Sequence, residues 1–386
     1  MRCPFCHASN SRSVRACHVC GGPLAGIKRL TSFQKRDAPG LTSSLLFPNL
    51  IPPVSLNKEI EREEPVLIAR NSREKDAPRI VAALFCEGTN GSCPLFVLEN
   101  GGLQVWDVQR NELHPISSRR TLQKPSLTVA AAFSSHCEIV ATGLESGQVR
   151  LQRLELNSAP AGWKCNGLRV IDAHMGFVLS LATTKTRLYS AGSDGTVVMT
   201  NLPDASHAME SKETTVVLEG LSSLSCLALS PDGHFLALGT DDGQVQMWHL
   251  GEDGLKARLD WTSRKDLSKV KSLTFTPNGN MLLSCNAQGQ LCLWAAQTGH
   301  RLQWLARPNA LNAPTFAPDS RLLAHTNTSE GILLCDAWTG ELRRMLPPIP
   351  GGVQALGFSF SPEKDTRETL LIVGGLQQIV AWKVVF

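Results

Sequence analysis

Ser230-Pro231-Asp232-Gly233-His234-Phe235-Leu236-Ala237-Leu238-Gly239-Thr240-Asp241-Asp242-Gly243-Gln244-Val245-Gln246-Met247-Trp248 aligns without a gap on Thr276-Pro277-Asn278-Gly279-Asn280-Met281-Leu282-Leu283-Ser284-Cys285-Asn286-Ala287-Gln288-Gly289-Gln290-Leu291-Cys292-Leu293-Trp294. Each stretch reads as a Pro-Asp/Asn-Gly turn, a short apolar strand, a second turn ending in Gly, and an alternating strand that ends in Trp. Carried outward in the same register, the Trp position recurs seven times, at Trp106, Gln152, Thr200, Trp248, Trp294, Cys335 and Trp382. The spacings are 46, 48, 48, 46, 41 and 47 residues. A period in the forties with several short strands per repeat predicts the blades of a β-propeller.

Over about residues 64–386 the sequence resembles the WD40 family. The best single repeat runs from Asp172-Ala173-His174 to Tyr189-Ser190-Ala191-Gly192-Ser193-Asp194-Gly195-Thr196-Val197. The resemblance implies a hydrogen-bonded network of His174, Ser190 and Asp194, structural rather than catalytic, that normally ends on a Trp. Thr200 stands at the Trp position, so the network is expected to be truncated. In the fourth repeat Asp242 and Trp248 match, while the expected His falls in Leu221-Ser222-Ser223.

The last repeat supplies three strands, near 353–360, 370–374 and 379–385. The β-prone run Pro65-Val66-Leu67-Ile68-Ala69 lies ahead of the first repeat. Pairing this run with the C-terminal blade would supply the missing outer strand and remove an exposed edge. The expectation is therefore an all-β, seven-bladed WD40-type propeller over 64–386, closed by strand 65–69. Six blades is the fallback, because Cys335 sits in the repeat shortened to 41 residues.

The N-terminal end has a different composition. Cys3-Pro4-Phe5-Cys6 and Cys17-His18-Val19-Cys20 are two C-x2-C pairs ten residues apart. Such pairs present four thiolates to one tetrahedral ion and leave no open position, so a structural Zn²⁺ is expected on Cys3, Cys6, Cys17 and Cys20. About 25 residues cannot bury enough apolar surface to fold without such a metal. The segment resembles a short zinc ribbon of the CPxC…CxxCGxPL kind. Residues 1–26 are read as this ribbon and 27–63, with Pro39, Gly40, Pro48, Pro52 and Pro53, as a flexible linker. Residues 1–36 carry seven bases and no acid, while the rest of the chain has a balance of −3. That basic head points to an acidic partner, either protein or nucleic acid.

No stretch approaches the roughly 18 apolar residues of a membrane span, and Met1-Arg2-Cys3-Pro4 does not open a secretory signal. Eight further cysteines scattered through apolar runs suit a reducing compartment, so a cytoplasmic location is expected. There is no phosphate loop and no H-E-x-x-H. The nearest string to a nucleophile elbow, Gly143-Leu144-Glu145-Ser146-Gly147, has the wrong order.

With no catalytic set, the expected role is a non-enzymatic scaffold within a larger complex. The propeller docks a protein partner and the basic zinc ribbon adds a second contact; no small-molecule substrate is expected. The competing reading is a nucleic-acid-binding regulator working through the ribbon and residues 28–36. An enzyme with an active site at the channel mouth is a third reading, supported only by the existence of a channel. Trp163, Trp261, Trp304 and Trp338 lie outside the repeat's Trp position and are candidates either for partner contact or for packing between blades.

Overall fold

The computed structural model describes residues 67–70 and 79–385, apart from short loop segments within the latter range. Two identical turns begin the explanation of its blades. Asp232 accepts the N–H of His234 at 3.0 Å, and the N–H of Phe235 donates to Ser230 Oγ at 2.9 Å. In the next repeat Asn278 accepts the N–H of Asn280 at 3.0 Å and Thr276 Oγ1 accepts that of Met281 at 3.1 Å. Gly233 and Gly279 follow at φ 75° and 71°, in the left-handed region where glycine carries no Cβ penalty. The side chain at the start of each turn and the Asx residue thus absorb the backbone donors as the chain reverses.

These turns join the strands of seven four-stranded antiparallel blades. The first consists of Ile80–Gly88, Gly91–Leu98, Leu103–Asp107 and Glu112–Ser118, the second of Thr128–Ser134, Ile139–Leu144, Gln148–Glu155 and Lys164–Asp172. The third holds Val178–Thr183, Arg187–Gly192, Val197–Asn201 and Thr214–Leu218, the fourth Leu224–Leu229, Phe235–Thr240, Val245–Leu250 and Ala257–Thr262. The fifth is built from Val270–Phe275, Met281–Asn286, Leu291–Ala295 and Arg301–Leu305. The sixth has Thr315–Phe316, Leu322–Asn327, Gly331–Asp336 and Leu342–Leu346. Its first strand is only two residues long.

The seventh blade takes Val353–Phe360, Glu368–Gly375 and Gln378–Val385, and its fourth strand is Leu67–Arg70 from the other end of the chain. Leu67 lies opposite Ala381 and Arg70 opposite Gln378. The outer strands of the first two blades also touch: Ser117 and Ser118 pair in parallel with Lys164 and Cys165, joining two blades into one eight-stranded sheet. The described residues contain no α-helix.

All seven repeat positions, from Trp106 to Trp382, fall on third strands, and the four indoles among them, Trp106, Trp248, Trp294 and Trp382, pack with the preceding blade. Trp382 packs with Leu334 and Ile332 of the sixth blade, and Trp106 with Ile372 and Ala381 of the seventh. A period-two strand between two neighbours buries both of its faces, so each blade contributes to two apolar clusters.

Candidate functional site

The third blade contains the polar network expected from its sequence. His174 Nε2 lies 2.8 Å from Ser190 Oγ, and His174 Nδ1 lies 2.9 Å from Thr196 Oγ1 and 3.2 Å from Asp194 Oδ1. Asp194 also accepts the Met175 N–H at 2.9 Å and the Thr196 hydroxyl at 2.8 Å. Burial pushes the His174 pKa down against the pull of Asp194, which keeps the ring neutral. Burial opposes ionisation of Asp194 too, but the Met175 and Thr196 donors outweigh it and hold the carboxyl below its ordinary range. Thr200 is buried at the Trp position, so instead of reaching an indole the chain of bonds ends on the Val198 C=O, 3.4 Å from Ser190 Oγ. The arrangement ties a loop to a strand and has no open side for a substrate.

What the network holds in place is a surface. The loop after Asp172 carries Met175, 97% exposed, and Phe177, 56% exposed. Its backbone is fixed on both sides: Met175 N–H bonds to Asp194, and Phe177 C=O accepts the N–H of Ser193 at 2.9 Å. Next to it sits the turn Glu145–Gly147 of the second blade. The N–H of His174 donates to Gly147 C=O at 3.0 Å, and that of Glu145 donates to Leu127 C=O at 3.1 Å. A Cβ at Gly147, whose φ is 84°, would run into the carbonyl oxygens of His174 and Gly176. Leu127 and Val129, both exposed, therefore flank the same turn as Met175 and Phe177. Four large apolar side chains share one end of the second and third blades.

Sequence reasoning did not single out these four residues. The signal lay in His174-Met175-Gly176-Phe177, apolar side chains in a loop between two strand runs. The tryptophans named instead serve packing where their side chains are described. Trp163 is buried between the first two blades, and Trp338 packs against the fifth and sixth. Trp261 stacks on Trp294 at 6.0 Å and donates from Nε1 to Ala296 C=O at 2.7 Å.

The zinc set Cys3, Cys6, Cys17 and Cys20, the linker 27–63 and the basic segment 28–36 lie outside the described residues. Of the remaining cysteines, Cys93, Cys165, Cys226, Cys285, Cys292 and Cys335 are not joined in disulfides. Burial raises Cys165 and Cys226 to about 12 and Cys93 and Cys285 to about 11, which makes them poor nucleophiles. Among the described residues no group of His, Cys, Asp or Glu is placed to hold a metal, and no helix is long and apolar enough to cross a membrane.

Comparison with known proteins agrees with this geometry. Residues 212–249 and 262–295 match the family of the WD domain, G-beta repeat. The meiotic recombination protein rec14 of Schizosaccharomyces pombe is 30% identical over 118 residues, covering 30% of this chain and 37% of that protein. Jouberin of Rattus norvegicus is 26% identical over 217 residues, 53% of this chain and 20% of its own length. Protein TOPLESS of Arabidopsis thaliana is 27% identical over 110 residues, 28% of this chain and 9% of its own. The matched regions thus span well under two thirds of these relatives. In the crystal structure of the mitotic checkpoint complex, one chain superposes with a TM-score of 0.64 at 18% identity, covering 93% of this chain and 99% of that one. Such a likeness speaks for the fold alone. Together the matches place WD repeats in a seven-bladed propeller.

Proposed function

We propose that this chain is a non-enzymatic interaction scaffold whose propeller docks a protein partner on the end formed by the second and third blades. The observation that carries the reading is the exposure of Met175 and Phe177 on a loop whose backbone is already hydrogen-bonded into place. Large apolar side chains displayed on a rigid support mark a contact surface, because binding then orders little that was not ordered before. Each side chain contributes about 1.5–3 kcal/mol when fully covered, so the pair can change affinity by tenfold or more.

The basic head completes the reading. Cys3, Cys6, Cys17 and Cys20 would hold one structural Zn²⁺, and the ribbon 1–26 on its linker 27–63 would supply a second contact that raises avidity through effective concentration. A cytoplasmic location fits both parts.

The test compares three purified chains as bait after nuclease treatment: the full chain, Met175→Asp with Phe177→Asp, and the chain lacking residues 1–36. Docking by the propeller predicts that one set of proteins stays on the full chain and on the shortened one. The double variant loses that set by tenfold or more with an unchanged melting temperature. Bound material that is nucleic acid, and that leaves with residues 1–36, would transfer the function to the head. One zinc per full chain, none in the shortened chain, checks the ribbon.

A further inference from the structure

The third strand of the second blade, Gln148–Glu155, carries a charge in a place where the other blades carry none. Arg150 lies opposite Thr142. The equivalent residues, each opposite the same second-strand position, are Gln104, Val198, Gln246, Cys292, Leu333 and Val380. Arg150 is only 7% exposed, and its neighbours on the same strand face, Thr142 and Gln152, are 0% and 5% exposed. Val140, directly opposite Gln152, packs against Leu95, Val97, Leu103, Val105 and Ile116 of the first blade. The Arg150 side chain therefore enters the interface with the first blade, whose wall is largely apolar but also carries Asp107, on the strand face of Leu103 and Val105, and His114, opposite Val105.

Each of the three side chains has one buried polar atom without a hydrogen-bond partner. Arg150 Nε, Thr142 Oγ1 and Gln152 Oε1 are all sealed from solvent and unsatisfied. Burial pushes the Arg150 pKa down, and no carboxylate among the described residues opposes it. The group stays charged at neutral pH all the same. A guanidinium nitrogen buried without a partner costs stability, and two further unpaired polar atoms beside it compound the cost.

The geometry points to an inter-blade oxyanion site, in which Arg150, Thr142 and Gln152 bind a single phosphate or carboxylate group. The guanidinium offers two parallel N–H donors, which match two oxygens of either group. Thr142 can donate its hydroxyl across the strand pair, where directly opposed Cβ atoms lie about 5 Å apart. Rotation of the Gln152 amide turns its NH₂ inward, an exchange of O and N that the fold does not otherwise constrain. An oxyanion in this position satisfies all three groups at once, which neither blade wall can do.

The test uses the full chain with inorganic phosphate and, separately, acetate as probes, titrated at constant ionic strength and read by melting temperature and by calorimetry. A saturable rise in melting temperature with either probe is expected, and the probe that produces it identifies the group. Arg150→Met should weaken the response tenfold or more and, without added anion, should melt no lower than the natural chain. Thr142→Val should weaken it several-fold and carries the test if Arg150→Met does not fold. The inference is overturned if neither anion gives a saturable response. It is equally overturned if the response survives intact in the variants, since that would be general salt stabilisation.

Discussion

The fifth and second blades use the same two backbone positions in opposite ways. In the fifth, the second strand offers Ser284 and the third strand Trp294, whose Nε1 donates to Ser284 Oγ at 2.8 Å. In the second, the same positions hold Thr142 and Gln152, and no bond joins them. Both blades nevertheless have four strands in the same order. The position is thus defined by strand register and by the apolar face around it, while the polar bridge is an addition that individual blades keep, alter or lose. The third blade keeps its His–Ser half, and the sixth sets Cys335 Sγ 3.5 Å from His325 Nε2. Where the bridge is lost and a charge is added, as at Arg150, the blade acquires unsatisfied donors that a ligand can use.

The largest effect expected from this contrast is at the apolar face. Trp382→Ala removes a fully buried indole between the sixth and seventh blades and should cost about 3–5 kcal/mol, read from urea denaturation. Gln152→Ala, at the equivalent position, removes no bond and should cost about 1 kcal/mol or less. Equal losses would mean that the position matters and the aromatic does not. Next in size is His174→Asn, which breaks the bonds to Ser190 and Asp194 and should cost about 2 kcal/mol.

His174 also has a pH signature. Its folded pKa is depressed by burial, so its stability is complete above the unfolded value of about 6.5. Below that pH the unfolded chain takes up the proton first, and stability falls with pH until the folded pKa is reached. The natural chain should lose more stability between about pH 7 and pH 5 than His174→Asn does. An identical slope in the two would show that the ring takes up its proton as readily in the fold as in the unfolded chain.

Much of this contrast was legible in the sequence, and the part that was not has a physical reason. The Pro-Asp/Asn-Gly turns and the period could be read because a turn is a local matter of φ angles and side-chain acceptors, so Ser230–Trp248 and Thr276–Trp294 declare themselves. The one-residue register shifts at the start of six inner strands, such as Val178/Ser180 and Leu224/Cys226, could not be read in this way. They answer to the twist of the ring, which no single repeat encodes. Arg150 hides for a similar reason. Gln148-Val149-Arg150-Leu151-Gln152 alternates as a strand with one wet face does, yet the first blade covers the polar face. Met175 and Phe177 are the converse case, apolar residues whose exposure depends on where Asp194 and Ser193 pin the loop. The four N-terminal cysteines show what spacing alone can do: they indicate a metal without saying where it sits relative to the ring.

The smallest predicted effects make the sharpest comparison, because they change one hydroxyl in each of the two blades. Ser284→Ala leaves the half-buried Trp294 Nε1 without its acceptor and should cost about 1 kcal/mol. Thr142→Val replaces an unpartnered hydroxyl by a methyl of matched size and, in buffer without phosphate or carboxylate, should be neutral or stabilising by up to about 1 kcal/mol. The sign should then depend on the solution. Adding the anion stabilises the natural chain through Thr142 and gives the Val variant less, so the variant falls behind as the site fills. A cost equal to that of Ser284→Ala in anion-free buffer would mean that the Thr142 hydroxyl already has a partner inside the fold. In that event the two blades would differ in the identity of the bridge and not in its presence.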